Sequence, residues 1–449
     1  MIVSLGCLRP IIEMLYNMIL TFIIAYSALL FVQGTFALYL MLYTWMRSER
    51  VLAVESPRSF SSPALRFAVL LPCKNEEKVI AETIRRVCEA NYPKELMEIA
   101  VICQCQDEDT IAEAQRAAAN YSNARVVVMS DETSGKAHAL NVGLSRTTHE
   151  VITIFDAEDD VQPQLFQVIN TIMQRDNVAV VQAGCQLMDY RSSWFAVHNV
   201  LEYYFWFRSS QHFHAQVGAV PLGGNTVFIQ RRLLEMIGGW DEQCLTEDAD
   251  IGVRLSLLGE KITVTYDAEH ATREETPPTL ASFIRQRTRW NQGFLQVLKK
   301  KDWCRLPTTG QRLLALYTLS YPAMHAFMFL VWIPLVLFMP RVPLAAFLLL
   351  VLPLYVVVLQ YVVTLIGFLE FGTLYRAPLT LRDIVVFSLG FLPYQGIMYI
   401  SALRAMGREL YGIKNWEKTA HFGTNRQWGK NALSTSADLQ GATAHDEIH

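Results

Sequence analysis

The middle of the chain alternates short apolar runs with amphipathic segments. The runs "FAVLLP", "EIAVIC", "ARVVVM" and "EVITIFD" are rich in Val and Ile and have the length of buried strands. The segments "EKVIAETIRRVCEA" and "TIAEAQRAAAN" between them carry apolar residues at helical spacing. This alternation predicts an α/β domain with a mostly parallel sheet, and polar clusters follow the ends of its strands. We therefore expect a site assembled from loops at one edge of the sheet.

The flanks of this domain are apolar enough to enter a membrane. A helix needs roughly 20 apolar residues to cross the hydrocarbon layer. Three runs reach that length, at 11–45, 313–339 and 342–368. The first is too long for the apolar part of a signal peptide, and Arg47, Arg50 and Arg58 follow it. It predicts an anchor in the plasma (inner) membrane, with the α/β domain in the cytoplasm.

A fourth apolar segment, at 384–403, leaves the topology open. It contains Gly390 and Pro393 and has arginines on both sides. If it spans, the basic tail "KNWEKTAH" lies outside the cell; if it is re-entrant or interfacial, the tail stays in the cytoplasm. The bias of basic residues toward the cytoplasmic side favours the re-entrant or interfacial arrangement.

Composition excludes several classes of protein. The 449 residues are 52% apolar and 18% charged, with a net charge of −3, so no basic field suggests nucleic acid. The basic residues gather near the ends of the apolar segments, which favours the lipid bilayer as a partner. The eight cysteines show neither CxxC pairs nor His-rich spacing, so we expect free thiols in a reducing compartment.

An acidic cluster, "IFDAEDD", follows the fourth predicted strand. It places Asp156 and Glu158 just beyond that strand. Carboxylates two residues apart in a turn can bind one Mg²⁺ or Mn²⁺ ion together with phosphate oxygens. The alternative is a solvated acidic loop, or a helix cap before Pro163.

A second acidic pair lies in "CLTEDADIGVRL". Glu247 and Asp248 stand where an amphipathic helix begins. A carboxylate there can cap the helix, or it can act as a general base for an attacking hydroxyl group. The spacing alone does not decide between the two.

The segment "RQRTRWNQG" precedes the C-terminal apolar runs. Apolar residues recur at helical spacing between 280 and 298, which suits a helix on the inner membrane face. Gln286 and Arg289 fall on the side away from that stripe, and Trp290 lies at its border. Arginine can bind phosphate oxygens and Trp offers a flat face for a sugar ring. The alternative is an interfacial aromatic residue with snorkelling arginines.

Taken in order, the anchored α/β domain, "DAED", "TED" and "QRTRW" resemble the membrane-embedded members of glycosyltransferase family 2. That family has a GT-A (Rossmann-like) fold and includes cellulose, hyaluronan and poly-N-acetylglucosamine synthases. The resemblance covers roughly residues 66–420, and its most specific parts are "QRTRW" and the stretch from "GGNTVF" to "TEDADIGVRL". It implies inverting transfer of a sugar from a UDP-sugar or GDP-sugar.

The resemblance also implies roles for residues of the predicted sheet edge. Asp156 and Glu158 match the metal and diphosphate motif, whose second member is Glu here. Asp248 matches the catalytic base, with Glu247 beside it in the same "TED" motif. Lys136 stands where the family has a lysine near the nucleotide.

On the membrane side, Gln286 and Arg289 match the diphosphate-binding positions of the QxxRW motif, and Trp290 matches its acceptor-contacting position. Gly224 and Asn225, in the segment "GGN", resemble the acceptor-side loop. These assignments divide the site into a donor part and an acceptor part.

Two further positions complete the resemblance. "NWEKTAH" is similar to a cytoplasmic gating segment and contains Trp416, Lys418 and Thr419. The family usually has an Asp after its second strand that recognises uracil. Here the stretch is "CQCQDED", in which that position falls on Gln104, Gln106 or Asp107.

These observations divide the chain into six parts. They are an N-terminal anchor at 1–50, a catalytic domain at 60–278, amphipathic interface helices at 279–311, C-terminal membrane helices at 312–404, a gating-like segment at 405–424 and a disordered tail at 425–449.

The acceptor is expected to be a growing polysaccharide, or alternatively a lipid or lipid-linked molecule that receives one sugar. Three clear spans are few for a polymer channel, so a polymer-exporting enzyme would need the fourth segment, a second copy of the chain or an export partner. A receptor or scaffold that kept the fold without the chemistry would be expected to have damaged motifs. Here every motif position carries a competent residue type.

Overall fold

The computed structural model describes residues 5–130, 135–338, 343–413, 417 and 422–423. The strands are β1 (Phe67–Cys73), β2 (Met97–Cys103), β3 (Ala124–Val128), β4 (Val151–Ile154), β5 (Val180–Ala183), β6 (Cys185–Leu187), β7 (Val227–Gln230), β8 (Ile262–Thr265) and β9 (Thr272–Glu274). The α-helices of the α/β domain and its N-terminal side are α1 (Leu5–Leu42), α2 (Ser48–Val54), α3 (Ile80–Cys88), α4 (Glu108–Ala118), α5 (Lys136–Arg146), α6 (Leu165–Arg175), α7 (Ala196–Phe205), α8 (Gln211–Val217), α9 (Arg231–Met236) and α10 (Glu247–Leu257). The C-terminal α-helices are α11 (Leu280–Lys300), α12 (Thr309–Phe338), α13 (Leu344–Leu350), α14 (Leu352–Leu374) and α15 (Leu381–Leu410). A π-helical turn at Trp206–Ser210 joins α7 to α8, and short 3-10 turns lie at Lys94–Leu96 and Asp302–Arg305.

The central sheet confirms the predicted α/β architecture. Its order is β3-β2-β1-β4-β7-β5-β8, and β7 alone runs antiparallel to its neighbours. The four apolar runs identified in the sequence form β1 to β4. Because these strands are parallel, their carboxyl ends meet at one edge, where the polar loops collect.

Helices cover both faces of the sheet. On one face α3, α4 and α6 pack against residues such as Phe67 and Phe155, and on the other α5, α9 and α10 pack against Leu70 and Ile152. All four of these strand side chains are at most 1% exposed. Strands buried on both faces read as continuous apolar runs, which explains why the pattern is visible in the sequence.

A small parallel sheet of β6 and β9 lies beside the edge that carries the loops. Thr272 of β9 pairs with Cys185 of β6, and Arg273 forms a backbone bridge with Asp160 in the acidic loop. This sheet was not predicted from the sequence. It brings Glu274 under the loop that follows β4.

Three helices of the described chain are long and apolar enough to cross a membrane: Glu13–Leu42, Ala346–Leu374 and Leu381–Leu410. The first two correspond to the predicted runs at 11–45 and 342–368. The predicted run at 313–339 begins within α12, a 30-residue helix.

The fourth segment differs from the prediction in one respect. The re-entrant arrangement is wrong, because α15 is continuous through Gly390 and Pro393; by length and composition this helix could cross a membrane, so the choice between spanning and interfacial stays open. Gly390 lets α15 approach α7 closely, since a Cβ there would lie 2.7 Å from Nε2 of His198. The helix begins in a capping box between Thr380 and Asp383.

Both ends of α15 are bound to the rest of the described chain. At its start, Asp383 pairs with Arg191 of the α/β domain at 2.7 Å. Near its end, Glu409 pairs with Lys299 of α11 at 2.8 Å. These two pairs join α15 to the α/β domain and to α11, while its middle also contacts α14 through the hydroxyls of Ser388 and Tyr361.

The apolar face of α11 is buried by protein, which differs from the predicted contact with the bilayer. Phe283 is 0% exposed and stacks between Phe195, at 5.2 Å between ring centroids, and Tyr394 of α15, at 5.6 Å. The sequence pattern of an apolar stripe is the same whether lipid or another helix covers it.

The predicted gating residues Trp416, Lys418 and Thr419 lie outside the described residues. Two described neighbours contact the rest of the chain. Glu417 accepts two hydrogen bonds from Arg404, at 2.7 and 2.8 Å, and the backbone N–H of Phe422 donates to Glu275 at 2.5 Å.

Candidate active site

Lys136 lies at the centre of the polar edge. Its Nζ donates to Asp156 Oδ1 at 2.5 Å and to the carbonyl oxygen of Gly224 at 2.8 Å. A Cβ on Gly224 would lie 3.1 Å from Asp248 Oδ2 and 3.4 Å from Lys136 Nζ. Residues from four separate segments therefore meet within a few ångströms, and a side chain at Gly224 would crowd the carboxylate of Asp248.

The charges at this point are strongly coupled. Burial lowers the pKa of Lys136, but the carboxylates of Asp156, Glu247 and Asp248 outweigh burial and raise it above its ordinary value. Lys136 is therefore a fixed positive charge among carboxylates, and it is suited to hold the oxygens of a diphosphate.

Glu247 and Asp248 occupy the first turn of α10, after Thr246. Burial raises the pKa of Asp248, and it raises the pKa of Glu247 to about 7 with a further contribution from the charge of Asp248. Asp248 Oδ1 accepts from the backbone N–H of Ala249 at 2.8 Å, while its Oδ2 faces Gly224. The N-cap of α10 is Thr246 rather than either carboxylate, and Asp248 Oδ2 lies beside Gly224, so the role of general base stays a prediction.

Buried hydrogen bonds hold the loop that carries Asp156 in place. Asp159 accepts from the backbone N–H of Asp156 at 2.8 Å. Asn225 donates to both oxygens of Asp159, at 3.1 and 3.0 Å, and also to Glu274. Asn225 is 4% exposed, so it positions the metal-motif loop from the interior, and the acceptor contact predicted for it stays a prediction.

A divalent cation suits this loop. The side chain of Asp156 is 33% exposed, and Glu158, two residues further on, is 7% exposed. No group of three or more His, Cys, Asp or Glu side chains is arranged around a metal position among the described residues. Mg²⁺ and Mn²⁺ are often held by one or two carboxylates with substrate phosphates completing the shell, so the residue set fits.

The QxxRW segment completes the cleft from α11. Gln286 Oε1 and Arg289 Nε are buried, and neither has a hydrogen-bond partner in the described part of the chain. The charge of Arg289 lowers the pKa of both Glu247 and Asp248, which places its guanidinium near them. Unpaired buried polar atoms are costly, so a ligand with oxygen atoms is the natural partner for the arginine.

The side chain of Asp107 accepts hydrogen bonds from within the protein. It caps α4 by accepting from the backbone N–H of Thr110 at 3.3 Å, and it also accepts from the backbone N–H of Asn75. Gln104 is 8% exposed and Gln106 is exposed. The base-recognition role considered for these three positions stays a prediction.

Two charged side chains near the site were missed by sequence analysis. Glu274 holds Asn225 behind the acidic loop, and Arg287 packs over the Trp290 ring with its Cζ 4.6 Å from the ring centroid. Arg287 stands inside the quoted motif, so its position was a usable signal. Nothing in the sequence around Glu274 indicated a position at the site, because its partner Asn225 is 49 residues away.

Comparison with known proteins agrees with this arrangement. The family described as "Glycosyltransferase like family 2" matches residues 63–293. A β-monoglucosyldiacylglycerol synthase of Trichormus variabilis is 30% identical over 232 residues, which are 51% of this chain and 49% of the relative. A poly-β-1,6-N-acetyl-D-glucosamine synthase of Staphylococcus epidermidis is 25% identical over 272 residues, which are 60% of this chain and 62% of the relative.

The fold also matches a solved structure, that of a mannosyltransferase from Pyrobaculum calidifontis in complex with GDP-Man and Mn²⁺. The TM-score is 0.56 at 18% identity, and the match covers 88% of this chain and 99% of that one. The chain spans about half the length of the first curated relatives that it matches. Since the family match covers just over half of the 449 residues and agrees with both the sheet and the site, the chain belongs to glycosyltransferase-like family 2.

Proposed function

We propose that the protein transfers a sugar, with inversion, from a nucleotide-diphosphate sugar to a growing polysaccharide at the membrane. The observation that carries this proposal is the convergence of Lys136, Asp156 and Asp248 with Arg289, whose charge acts on Asp248 and whose buried Nε has no protein partner among the described residues. The arrangement supplies a base for an incoming hydroxyl and positive charge for a leaving diphosphate in one cleft.

In the proposed reaction, the Asp248 carboxylate accepts the proton of the acceptor hydroxyl as that oxygen attacks the anomeric carbon. Attack from the face opposite the diphosphate inverts the configuration without a covalent intermediate. Lys136 and Arg289 stabilise the negative charge that grows on the departing diphosphate. Asp156 and Glu158 are the residues that would hold Mg²⁺ or Mn²⁺, which supplies further neutralisation of that charge when bound.

The site is proposed to face the cytoplasm beneath the inner membrane. Helices α1 and α14 contain two of the three candidate spans of the described chain, whereas α15 is bound at both ends and exposes Leu381, Leu389 and Leu392, at 66–77%. Such an exposed apolar face suits the membrane interface. The hydrogen bond from the backbone N–H of Phe422 to Glu275 supports a position of Phe422 on the same side as the α/β domain.

A second candidate acceptor is a lipid or lipid-linked molecule that receives one sugar. The described residues contain three helices that could cross a membrane, which are few to enclose a polar polymer path. A polysaccharide synthase built this way would need a second copy of the chain or an export partner. The β-monoglucosyldiacylglycerol synthase of Trichormus variabilis, a relative whose name describes a glycolipid product, supports transfer of one sugar as the alternative.

The experiment compares purified full-length protein with two single variants. Asp248→Asn is expected to abolish release of nucleotide diphosphate from a panel of UDP-sugars and GDP-sugars while leaving donor binding largely intact. Asp176→Asn is the control, because Asp176 lies between α6 and β5, at the edge of the sheet opposite the cleft, where it pairs with Arg175. Substantial turnover by Asp248→Asn would refute the assigned base.

Product size then separates the two acceptors. A radiolabelled donor that yields a ladder or high-mass polymer supports the polysaccharide synthase, and a single labelled glycolipid supports the one-sugar transfer. Absence of diphosphate release from every donor in the panel, with Mg²⁺ and Mn²⁺ present, would remove the enzymatic assignment altogether.

A further inference from the structure

One face of α11 holds residues 239–250, the TED segment, which carries the acidic pair of the cleft. Oε1 of Gln296 accepts a hydrogen bond from the backbone N–H of Leu245 at 3.0 Å. Nζ of Lys300 donates to Oδ1 of Asp250 at 2.6 Å. Residues four positions apart lie on the same face of a helix, so α11 binds the TED segment both before and after its acidic pair.

Lys300 supplies the ionic part of this contact. Its Nζ also binds Asp241, so one lysine joins the start and the end of the TED segment. Asp250 is 1% exposed, and its second oxygen accepts from Nε of Arg254 at 2.8 Å. Burial lowers the pKa of Lys300, but its hydrogen bonds to Asp241 and Asp250 raise that pKa above its ordinary value. The lysine therefore stays charged, and the buried carboxylate has a cation on each oxygen.

Helix α5, which begins at Lys136, holds the TED segment at another point. Oδ1 of Asn141 accepts from the backbone N–H of Trp240 at 2.9 Å, and Nδ2 of Asn141 donates to the carbonyl oxygen of Trp240 at 2.9 Å. The same Nδ2 donates to Glu242 at 2.9 Å. The TED segment is therefore bonded both to the helix that begins with Lys136 and to the helix that carries Arg289.

The position of Asp248 depends on these contacts because of its place in the TED segment. Asp248 stands two residues before Asp250 in the first turn of α10, so a shift of one carboxylate is carried to the other by a single helical turn. Lys136 and Asp156 bind each other at 2.5 Å, and that bond involves neither α11 nor the TED segment. A shift of the TED segment against α11 therefore moves the acidic pair relative to these two donor-side groups.

We propose that Lys300, assisted by Gln296, is a positioning residue for the transfer step, which sets the distance between the Asp248 carboxylate and the anomeric carbon of the bound donor. The inference rests on the proposed function and adds to it a residue outside the motifs quoted from the sequence. Lys300 stands in a run of three lysines beside a predicted membrane helix, where a solvated charge would be expected. Its two carboxylate partners give it a different role.

The test is Lys300→Met in the full-length protein in lipid nanodiscs, assayed for release of nucleotide diphosphate with the fastest donor of the panel. The change removes the charge and leaves Arg254 on Asp250. Because a displacement of about 1 Å at reacting groups costs about 100-fold in rate, we expect kcat to fall about 10-fold to 100-fold. The donor KM should stay within about twofold of wild type, since Arg289 lies about three helical turns from the changed position.

Lys299→Met is the matched control, because it removes the same charge from the neighbouring position. Lys299 pairs with Glu409 of α15 at 2.8 Å and its side chain is 61% exposed, so its loss leaves the contacts of the TED segment intact. Its kcat should equal that of wild type. Lys300→Arg should recover most of the lost kcat, because a guanidinium can also bind two carboxylates.

Gln296→Leu is a second variant, which removes the hydrogen bond to the backbone of Leu245 and keeps the ion pairs of Lys300. It should lower kcat by a smaller factor, again with an unchanged donor KM. Thermal unfolding of each preparation shows whether the variant is folded. If Lys300→Met does not fold, Gln296→Leu decides, and a normal kcat in that variant would overturn the inference.

The outcomes separate this inference from the proposed function. A kcat of folded Lys300→Met within about threefold of wild type, or an equal fall in Lys299→Met, would overturn the positioning role. A Lys300→Arg variant as slow as Lys300→Met would also count against it, because the charge would then not be what matters. A wild-type protein that releases no nucleotide diphosphate from any donor would instead overturn the proposed function.

Discussion

Gly293 lies where α11, which carries Arg289, contacts the turn that carries Asp248. A Cβ at this position of α11 would lie 2.4 Å from Cγ2 and Oγ1 of Thr246 and 2.7 Å from its Cβ. Thr246 is 4% exposed and directly precedes Glu247 and Asp248. The absence of a side chain at Gly293 therefore sets the distance between the helix that carries Arg289 and the turn that carries Asp248.

Gly293→Ala is expected to separate activity from stability. Ordinary van der Waals contact begins near 3.4 Å, so a contact at 2.4 Å requires α11 or the Thr246 turn to move by about 1 Å. A displacement of that size at reacting groups typically costs about 100-fold in rate. Overpacking costs about 1–3 kcal/mol of folding free energy, while replacing Gly by Ala in a helix returns about 1 kcal/mol, so the net loss of stability is small.

The assay is steady-state release of nucleotide diphosphate, with thermal unfolding measured on the same preparations. Gly407→Ala is the matched control, because it makes the same change inside α15 where a Cβ meets nothing within 4 Å. Adding Thr246→Ala to Gly293→Ala removes the two nearest atoms and should restore part of the activity. Activity of Gly293→Ala within about threefold of wild type would refute the reasoning, since the rate would then be insensitive to a shift of about 1 Å between the two halves of the cleft.

Three further predictions concern protons, metal and topology. Burial raises the pKa of Glu247 to about 7 and also raises the pKa of Asp248, so both carboxyls take up protons as the pH falls and kcat/KM should decline on the acid side. Glu247→Gln should move that decline to lower pH. A kcat/KM profile that is flat between about pH 5 and 8 would contradict this prediction. Chelation of divalent cations with EDTA should abolish turnover, and added Mg²⁺ or Mn²⁺ should restore it. In Asp156→Asn the added cation should not restore turnover. Unchanged turnover of the wild-type protein in EDTA would count against metal use. Cysteines placed at Arg376 and Tyr411, on either side of α15, should react with an impermeant maleimide from the same side of a vesicle, and opposite accessibility would show that α15 crosses the bilayer.

The parts of the fold that could be predicted from the sequence are those with local causes. Strands β1 to β4 are short apolar runs because helices bury both faces of the sheet, and that burial is visible residue by residue. The order of the motifs predicted that Asp156, Asp248 and Arg289 would meet. The structure places the first two around Lys136 and Gly224 and puts the third within electrostatic reach of Asp248.

The parts that could not be predicted depend on partners far along the chain. Asn225 belongs to a quoted motif, yet its hydrogen bonds to Asp159 and Glu274 could not be read from spacing. The apolar stripe of α11 indicated a buried face, but a stripe carries no information about whether lipid or α15 covers it. Gly390 and Pro393 did not decide whether the segment at 384–403 turns back, and α15 is continuous through both residues.

The chemistry of the donor is easier to infer from the sequence than the identity of the acceptor. A diphosphate is the same in every donor, so the groups that hold it recur in short motifs around Asp156, Asp248 and Arg289. The contacts beside the QxxRW motif join α7, α11 and α15, for example through the pair of Glu202 with Arg287, whose positions are 85 residues apart in sequence. Substitutions on α7 or α15 can change these contacts without touching a motif. Members of one family can therefore share a donor site while their acceptors differ, and the contacts between these helices are where acceptor specificity should be sought.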